Sequence, residues 1–147
     1  GKGYKIPMPN LEMFLVETGV PESTTGVCVE KVRNDFADSS IWTEFESITE
    51  NIKVSLHNND QDQLRENIRA NHQLLKRIGV VPNQVSQFIS EIELLGGAAK
   101  ICGSGAVEGD AGGVVLVLAD EMPSEICDKF GFKVSPLRGD PLGTRLV

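Results

Sequence analysis

The sequence has too few basic residues to suggest a protein that binds nucleic acids, and it has no apolar run long enough to suggest one that spans a membrane. Its 147 residues include 14 Lys and Arg against 21 Asp and Glu, and basic residues never form a run of five. A net charge of −7 therefore argues against binding to nucleic acids or to an anionic membrane surface, because both need a basic protein surface. No apolar run approaches the roughly 20 residues of a membrane-spanning helix, and no charged leader precedes an apolar stretch.

Cysteine is also scarce, with Cys28, Cys102 and Cys127 far apart and never in a Cys-x-x-Cys pair. An odd number of separated thiols favours a reducing compartment, so we expect a soluble protein of the cytoplasm without disulfides. The same spacing predicts no metal site. A chain of this size can bury about 68–70% of its unfolded surface, which is enough for one domain without such cross-links. Because the chain begins with Gly1 and not Met, we expect processing or excision from a longer protein.

Hydrophobic periodicity predicts one strand, a run of helices and a strand-rich end. The apolar block around Met13 and Val16 predicts a buried strand that ends before Gly19. Four amphipathic helices follow, ending near Ala37, Asn58, Gly79 and Gly96. Beyond them the pattern predicts strands at 99–102, 114–119, 132–135 and 144–147 and a short helix at 123–130. Helices grouped on one face of a small, mostly antiparallel sheet define an α+β domain.

A glycine-rich loop is the segment whose composition most needs an explanation. It runs from Gly103 to Gly113 and contains five glycines in eleven residues. Glycine lets successive backbone N–H groups converge on an anion, as in phosphate-binding loops. A Walker loop is excluded because no Lys-Ser or Lys-Thr follows a glycine, and a Rossmann fingerprint because a strand follows, not a helix. A plain connection between strands stays open, although a hairpin needs only about two to five residues.

The order Lys100-Ile-Cys-Gly-Ser-Gly, further glycines and then a hydrophobic strand resembles the third motif of the GHMP kinases, most of all in its mevalonate kinase form. Three other stretches resemble the family in the same order: Leu15 to Pro21 with Thr24, Asn71 to Leu75 followed by Ile78-Gly79-Val80, and Phe130-Gly131-Phe132 with the later Gly139 and Gly143. The resemblance covers nearly the whole chain, but only the glycine loop is specific. The interruptions at 106–108 and 110–111 depart from the nearly all-glycine family loop.

The resemblance implies a ferredoxin-like C-terminal domain over residues 1–147. Such a domain packs against its own N-terminal kinase domain to enclose ATP, Mg²⁺ and a small-molecule alcohol. The resemblance implies that the cofactor-binding residues are Lys100, Gly103, Ser104, Gly105, Gly109, Gly112 and Gly113, and that the substrate-binding residues are Thr18 and Thr24. The family's Pro-x-x-x-Gly-x-x-Ser-Ser motif, catalytic aspartate and Mg²⁺-binding acidic residue are not found in the sequence. We therefore assign no catalytic or metal-ligating residue and expect the chain to be inactive alone.

Two functions from different classes follow. The first is the C-terminal domain of an ATP-dependent kinase of the mevalonate kinase type, which makes 5-phosphomevalonate and ADP from mevalonate and ATP. Phosphomevalonate, homoserine or a sugar remain open as its substrate. The second is a stand-alone ferredoxin-like domain that regulates or binds a ligand. The kinase hypothesis also predicts an apolar patch that favours self-association as a homodimer, and a surface position for Gly105 at which valine leaves the domain folded.

Overall fold

The computed structural model describes residues 12–139. In chain order, the elements are β1 (Met13–Glu17), α1 (Thr25–Phe36), α2 (Ile41–Asn58), α3 (Gln61–Arg77), α4 (Asn83–Leu94), β2 (Ala98–Ile101), β3 (Val114–Leu118), α5 (Ser124–Phe130) and β4 (Lys133–Pro136). The predicted strand at 144–147 lies outside the described residues. Within 12–139, no helix has both the length and the hydrophobicity to cross a bilayer.

Local sequence signals set the helix boundaries. The side chain of Thr24 accepts a hydrogen bond from the amide of Val27 and begins α1, and Asp60 accepts one from Gln63 and begins α3. These caps satisfy amides that have no partner inside the helix. At the end of α2, Asn59 adopts the left-handed conformation, with φ of 52°. The end of α2 agrees with the predicted end near Asn58.

The four strands form one antiparallel sheet in the order β2-β3-β1-β4. The first strand in the chain is therefore central, and Phe14 lies opposite Val117 on β3 and Pro136 on β4. A helical segment separates β1 from β2, and α5 separates β3 from β4, which is the ferredoxin-like connectivity. The predicted α+β class, with helices on a small antiparallel sheet, is confirmed.

The helices reach beyond one face of the sheet. Phe14 and Val117 point to the face that α4 and α5 cover, where Phe88 is fully buried. On the opposite face, Leu64 and Ile68 of α3 pack on residues at the β2 side of the sheet. The α3 helix therefore packs closely against edge strand β2.

Candidate functional site

The glycine-rich loop lies at the end of the sheet where β1 and β2 end and β3 begins, beside the segment that joins β1 to α1. The end of β1 at Glu17 is paired with the start of β3 at Val114, and the end of β2 at Ile101 is paired with Val115. The loop at 102–113 and the connection at 18–24 therefore leave the sheet together. Residues more than 75 positions apart in the chain meet at this end of the sheet.

Thr18 fixes the second end of the loop. Its hydroxyl donates to the carbonyl oxygen of Gly113 at 2.9 Å and accepts from the amide of Gly112 at 3.0 Å, and its own amide also donates to Gly113 at 2.8 Å. The side chain of Thr18 is buried. The residue predicted to bind substrate thus holds the loop against β1 in this structure.

Ser23, which the sequence did not single out, fixes the middle of the loop. Its buried hydroxyl oxygen accepts from two successive amides, those of Val107 at 3.2 Å and Glu108 at 3.0 Å. Nearby, the thiol of Cys28 donates to the carbonyl oxygen of Gly105 at 3.7 Å. In the sequence Ser23 is one of several residues that could start a helix, and only the fold shows which hydroxyl reaches the loop.

Gly105 and Gly112 are buried where the loop packs on the domain. A Cβ atom on Gly105 would lie far inside van der Waals contact with the carbonyl oxygen of Val80, which accepts the amide of Ala106 at 3.0 Å. A Cβ atom on Gly112 would lie 2.5 Å from Cδ1 of Ile101. The expectation of a surface position for Gly105 is wrong, because close contact with protein backbone, and not open solvent, requires glycine there.

The remaining glycines of the loop have other surroundings. Gly103, Gly109 and Gly113 all have positive φ, near 75–80°, which favours glycine. A Cβ atom on Gly109 would collide with the carboxylate of Glu22, and one on Gly113 would contact Pro21. Gly103 differs, since nothing lies within 4 Å of the position of its Cβ. The backbone at Gly103 is therefore the part of the loop open to close approach by a ligand.

Two hydroxyl groups lie next to this open turn. The Oγ atom of Ser104 is 3.3 Å from Oγ1 of Thr25 at the start of α1, and Thr24 caps the same helix. Of the predicted residues, Ser104 thus meets the start of α1 through Thr25, the neighbour of the predicted residue Thr24. The ammonium group of Lys100 instead donates to the carbonyl oxygen of Ile101 at 2.9 Å, so it is held on its own strand.

An apolar groove of about 350 Å³ opens beside Gly103 and Ser104. Its walls include Cys28 and Val29 of α1 and Trp42 of α2. The exposed carboxylates of the loop, on Glu108 and Asp110, are not part of this lining. In residues 12–139 no three His, Cys, Asp or Glu side chains converge as a metal site. The groove therefore presents mainly apolar side chains, together with the polar side chains of Ser104 and Arg33.

The fold and the site define an α+β domain in which a glycine-rich loop is held at one end of the strands of a ferredoxin-like sheet. The chain matches the family described as "GHMP kinases C terminal" over residues 52–130, which is more than half of its length. The chain belongs to this family. No curated protein matches the sequence.

Solved structures with the same fold include enzymes of two kinds. The L. major mevalonate kinase in complex with R-mevalonate is 21% identical with a TM-score of 0.68, and the match covers 87% of this chain and 39% of that one. The Streptococcus pneumoniae phosphomevalonate kinase in complex with phosphomevalonate and AMPPNP is 14% identical with a TM-score of 0.75, covering 91% and 42%. The Lin0012 protein from Listeria innocua is 21% identical with a TM-score of 0.69, covering 91% and 43%. The chain thus spans about two fifths of the length of these structures.

Proposed function

We propose that this chain is the C-terminal domain of an ATP-dependent kinase that phosphorylates a small alcohol. Its membership in the GHMP kinase C-terminal family carries this proposal. The mevalonate and phosphomevalonate kinases among its structural neighbours support a short hydroxy acid as the acceptor, with mevalonate our choice. The neighbours' greater length supports a partner domain, N-terminal in the same protein, that binds most of the ATP and Mg²⁺. We place this enzyme in the cytoplasm.

The open turn of the glycine loop is the part of the domain that we assign to the phosphates of ATP. Neither the amide of Gly103 nor that of Ser104 has a protein acceptor among residues 12–139. Unpaired amides and a hydroxyl are donors that suit a phosphate anion, and the absent Cβ of Gly103 leaves room for it. Gly105, Gly109, Gly112 and Gly113 shape the loop. Lys100 would add a positive charge close to it.

The start of α1 is the part that we assign to the acceptor alcohol. The hydroxyl of Thr25 lies beside that of Ser104, and Thr24 is the preceding residue, so a substrate hydroxyl bound here can meet the phosphate chain. Thr18 acts from the other end by holding Gly112 and Gly113 in place. Phosphoryl transfer depends mainly on the positions of donor and acceptor and on charge neutralisation, which Mg²⁺ supplies when bound. A rigid loop with aligned donors contributes to the first requirement.

An NMR titration with Mg-ATP tests the loop assignment on the chain itself. We expect the amide signals of Gly103 and Ser104 to shift, with weak affinity because the partner domain is absent. Gly103→Ala should weaken binding about fivefold or more, since its methyl group would occupy the approach to the backbone. Gly96→Ala is the matched control, because Gly96 also has positive φ with nothing within 4 Å of its Cβ position. Equal affinities of the two variants would contradict the assignment.

The second candidate function is a stand-alone regulatory or ligand-binding domain. The reading frame upstream of the chain and an activity assay distinguish it from the kinase domain. The kinase proposal expects about 150 or more residues upstream, with a Pro-x-x-x-Gly-x-x-Ser-Ser motif. It also expects that this chain alone releases no ADP from ATP and mevalonate in a coupled assay. An upstream frame without such a domain, or a Mg-ATP titration without any shift in the loop, would favour the stand-alone domain.

A further inference from the structure

We propose that Ser23 is a positioning residue that joins the phosphate-binding turn and the start of α1 into one rigid unit. This inference rests on the proposed function, since it concerns how the same site is held in shape. It adds a residue that neither the family resemblance nor the glycine pattern identifies.

The hydrogen bonds of Ser23 have the geometry of a small anion site that is filled by a protein atom. The amides of Val107 and Glu108 are consecutive and both point at one oxygen, as successive amides do when they bind an anion. Because Ser23 is only 7% exposed, water has little access to compete for these donors. The middle of the loop is thereby committed to the domain, and the turn at Gly103 and Ser104 is left for a ligand.

Ser23 also lies at the point in the chain where its effect on α1 is direct. The next residue, Thr24, is the cap of α1, and Thr25 lies beside Ser104. One turn further, Cys28 donates to Gly105. Ser23, Thr25 and Cys28 therefore contact the loop at three separate places. A shift of α1 relative to the loop must break these contacts together, so the distance between the acceptor hydroxyls and the phosphate turn is fixed.

A merely structural serine would satisfy the two loop amides without influencing a ligand. The two roles differ in what happens at Gly103 and Ser104, which Ser23 does not touch. If Ser23 positions the turn, its loss disorders the turn and reduces the affinity for phosphate, because a flexible site must be ordered when the ligand binds. If it only satisfies amides, the loop loosens locally and the affinity stays the same.

The experiment compares Ser23→Ala with Ser90→Ala in the whole chain. Ser90 is a suitable control because its exposed hydroxyl donates only to the carbonyl of Ser86 in α4. Amide hydrogen exchange is read at Val107 and Glu108, and Mg-ATP affinity is read from the shifts of Gly103 and Ser104. We expect Ser23→Ala to speed exchange at both loop amides about tenfold, with β3 unchanged. We expect its affinity for Mg-ATP to fall about fivefold, and that of Ser90→Ala to stay at the wild-type value.

A second pair, Ser23→Thr and Ser23→Val, keeps the test valid if the alanine variant does not fold. These side chains have the same shape, and only threonine retains the acceptor oxygen, so threonine should restore slow exchange and affinity relative to valine. Faster exchange with unchanged affinity would overturn the positioning role, and so would unchanged exchange. If wild-type Gly103 and Ser104 do not respond to Mg-ATP, the proposed function fails first, and the ligand-positioning role of Ser23 falls with it. A normal wild-type response with unaffected variants overturns the role of Ser23 alone.

Discussion

Replacing Gly105 with alanine would put a methyl group into the space that the carbonyl oxygen of Val80 occupies. Gly105 has φ of 65°, and a Cβ atom there would also lie 3.1 Å from the Cβ of Val80. The left-handed backbone costs an alanine about 1–2 kcal/mol. Moving the loop away from Val80 breaks the hydrogen bond from the amide of Ala106 and leaves a buried donor without a partner, at about 1–3 kcal/mol. We therefore expect Gly105→Ala to lower the free energy of unfolding by about 2–5 kcal/mol.

Gly103→Ala is the internal control for this prediction. Gly103 has φ of 75° and an open Cβ position, so alanine there should cost only the backbone strain of about 1–2 kcal/mol. Thermal melting by circular dichroism, with urea unfolding for the free energies, compares the two variants. At roughly 3–4 °C per kcal/mol, we expect Gly105→Ala to melt well below Gly103→Ala. Equal melting temperatures would refute the close contact between the loop and Val80.

Two more predictions concern buried polar side chains. Burial, and then the charge of Lys76, lower the pKa of His72 from 6.5 to about 4, so the unfolded chain takes up its proton first as pH falls. The contribution of His72 to the free energy of unfolding should therefore be fully present above pH 6.5 and decrease by about 1–3 kcal/mol towards pH 4. Urea unfolding at several pH values should show that this decrease is lost in His72→Gln. It should be retained in His57→Gln, which changes an exposed histidine. Thr18→Val keeps the shape but leaves the buried amide of Gly112 without its acceptor, so urea unfolding should show a loss of about 1–3 kcal/mol. An unchanged pH dependence in His72→Gln, or an unchanged unfolding midpoint in Thr18→Val, would contradict the corresponding argument.

The helices and strands were predictable because their signals are local. The apolar stripe of α2 repeats every three or four residues, and Thr24 and Asp60 stand where an oxygen must meet the first free amides of a helix. The packing of α3 on edge strand β2 was not predictable, since its apolar residues form one stripe and only the assembled fold shows that the first half, with Leu64 and Ile68, meets the sheet while Leu74 joins a separate cluster.

The glycine loop shows where composition stops being informative. A glycine is required when something approaches the backbone closely, and the sequence does not say whether that neighbour is a ligand or the protein. At Gly105 it is the carbonyl group of Val80, and at Gly103 the space is open. Ser23 was missed for a related reason, because its partners lie 84 and 85 residues further along the chain. Its local context of turn and helix-starting residues gives no sign of such a long-range bond.

The central place of β1 in the sheet has a consequence for how the chain folds. β1 ends at Glu17, but its neighbours begin at Val114 and Lys133, so no strand pairing of β1 can form until nearly all of the chain is available. During synthesis at about 5–20 residues per second, the segment from α1 to α4 would be complete about 1–4 seconds before β3 begins to emerge. Contacts of such high sequence separation close large loops and slow folding. The apolar residues of β1 must therefore stay unpaired through most of translation, which makes the first strand of this domain the one most dependent on protection while the chain is being made.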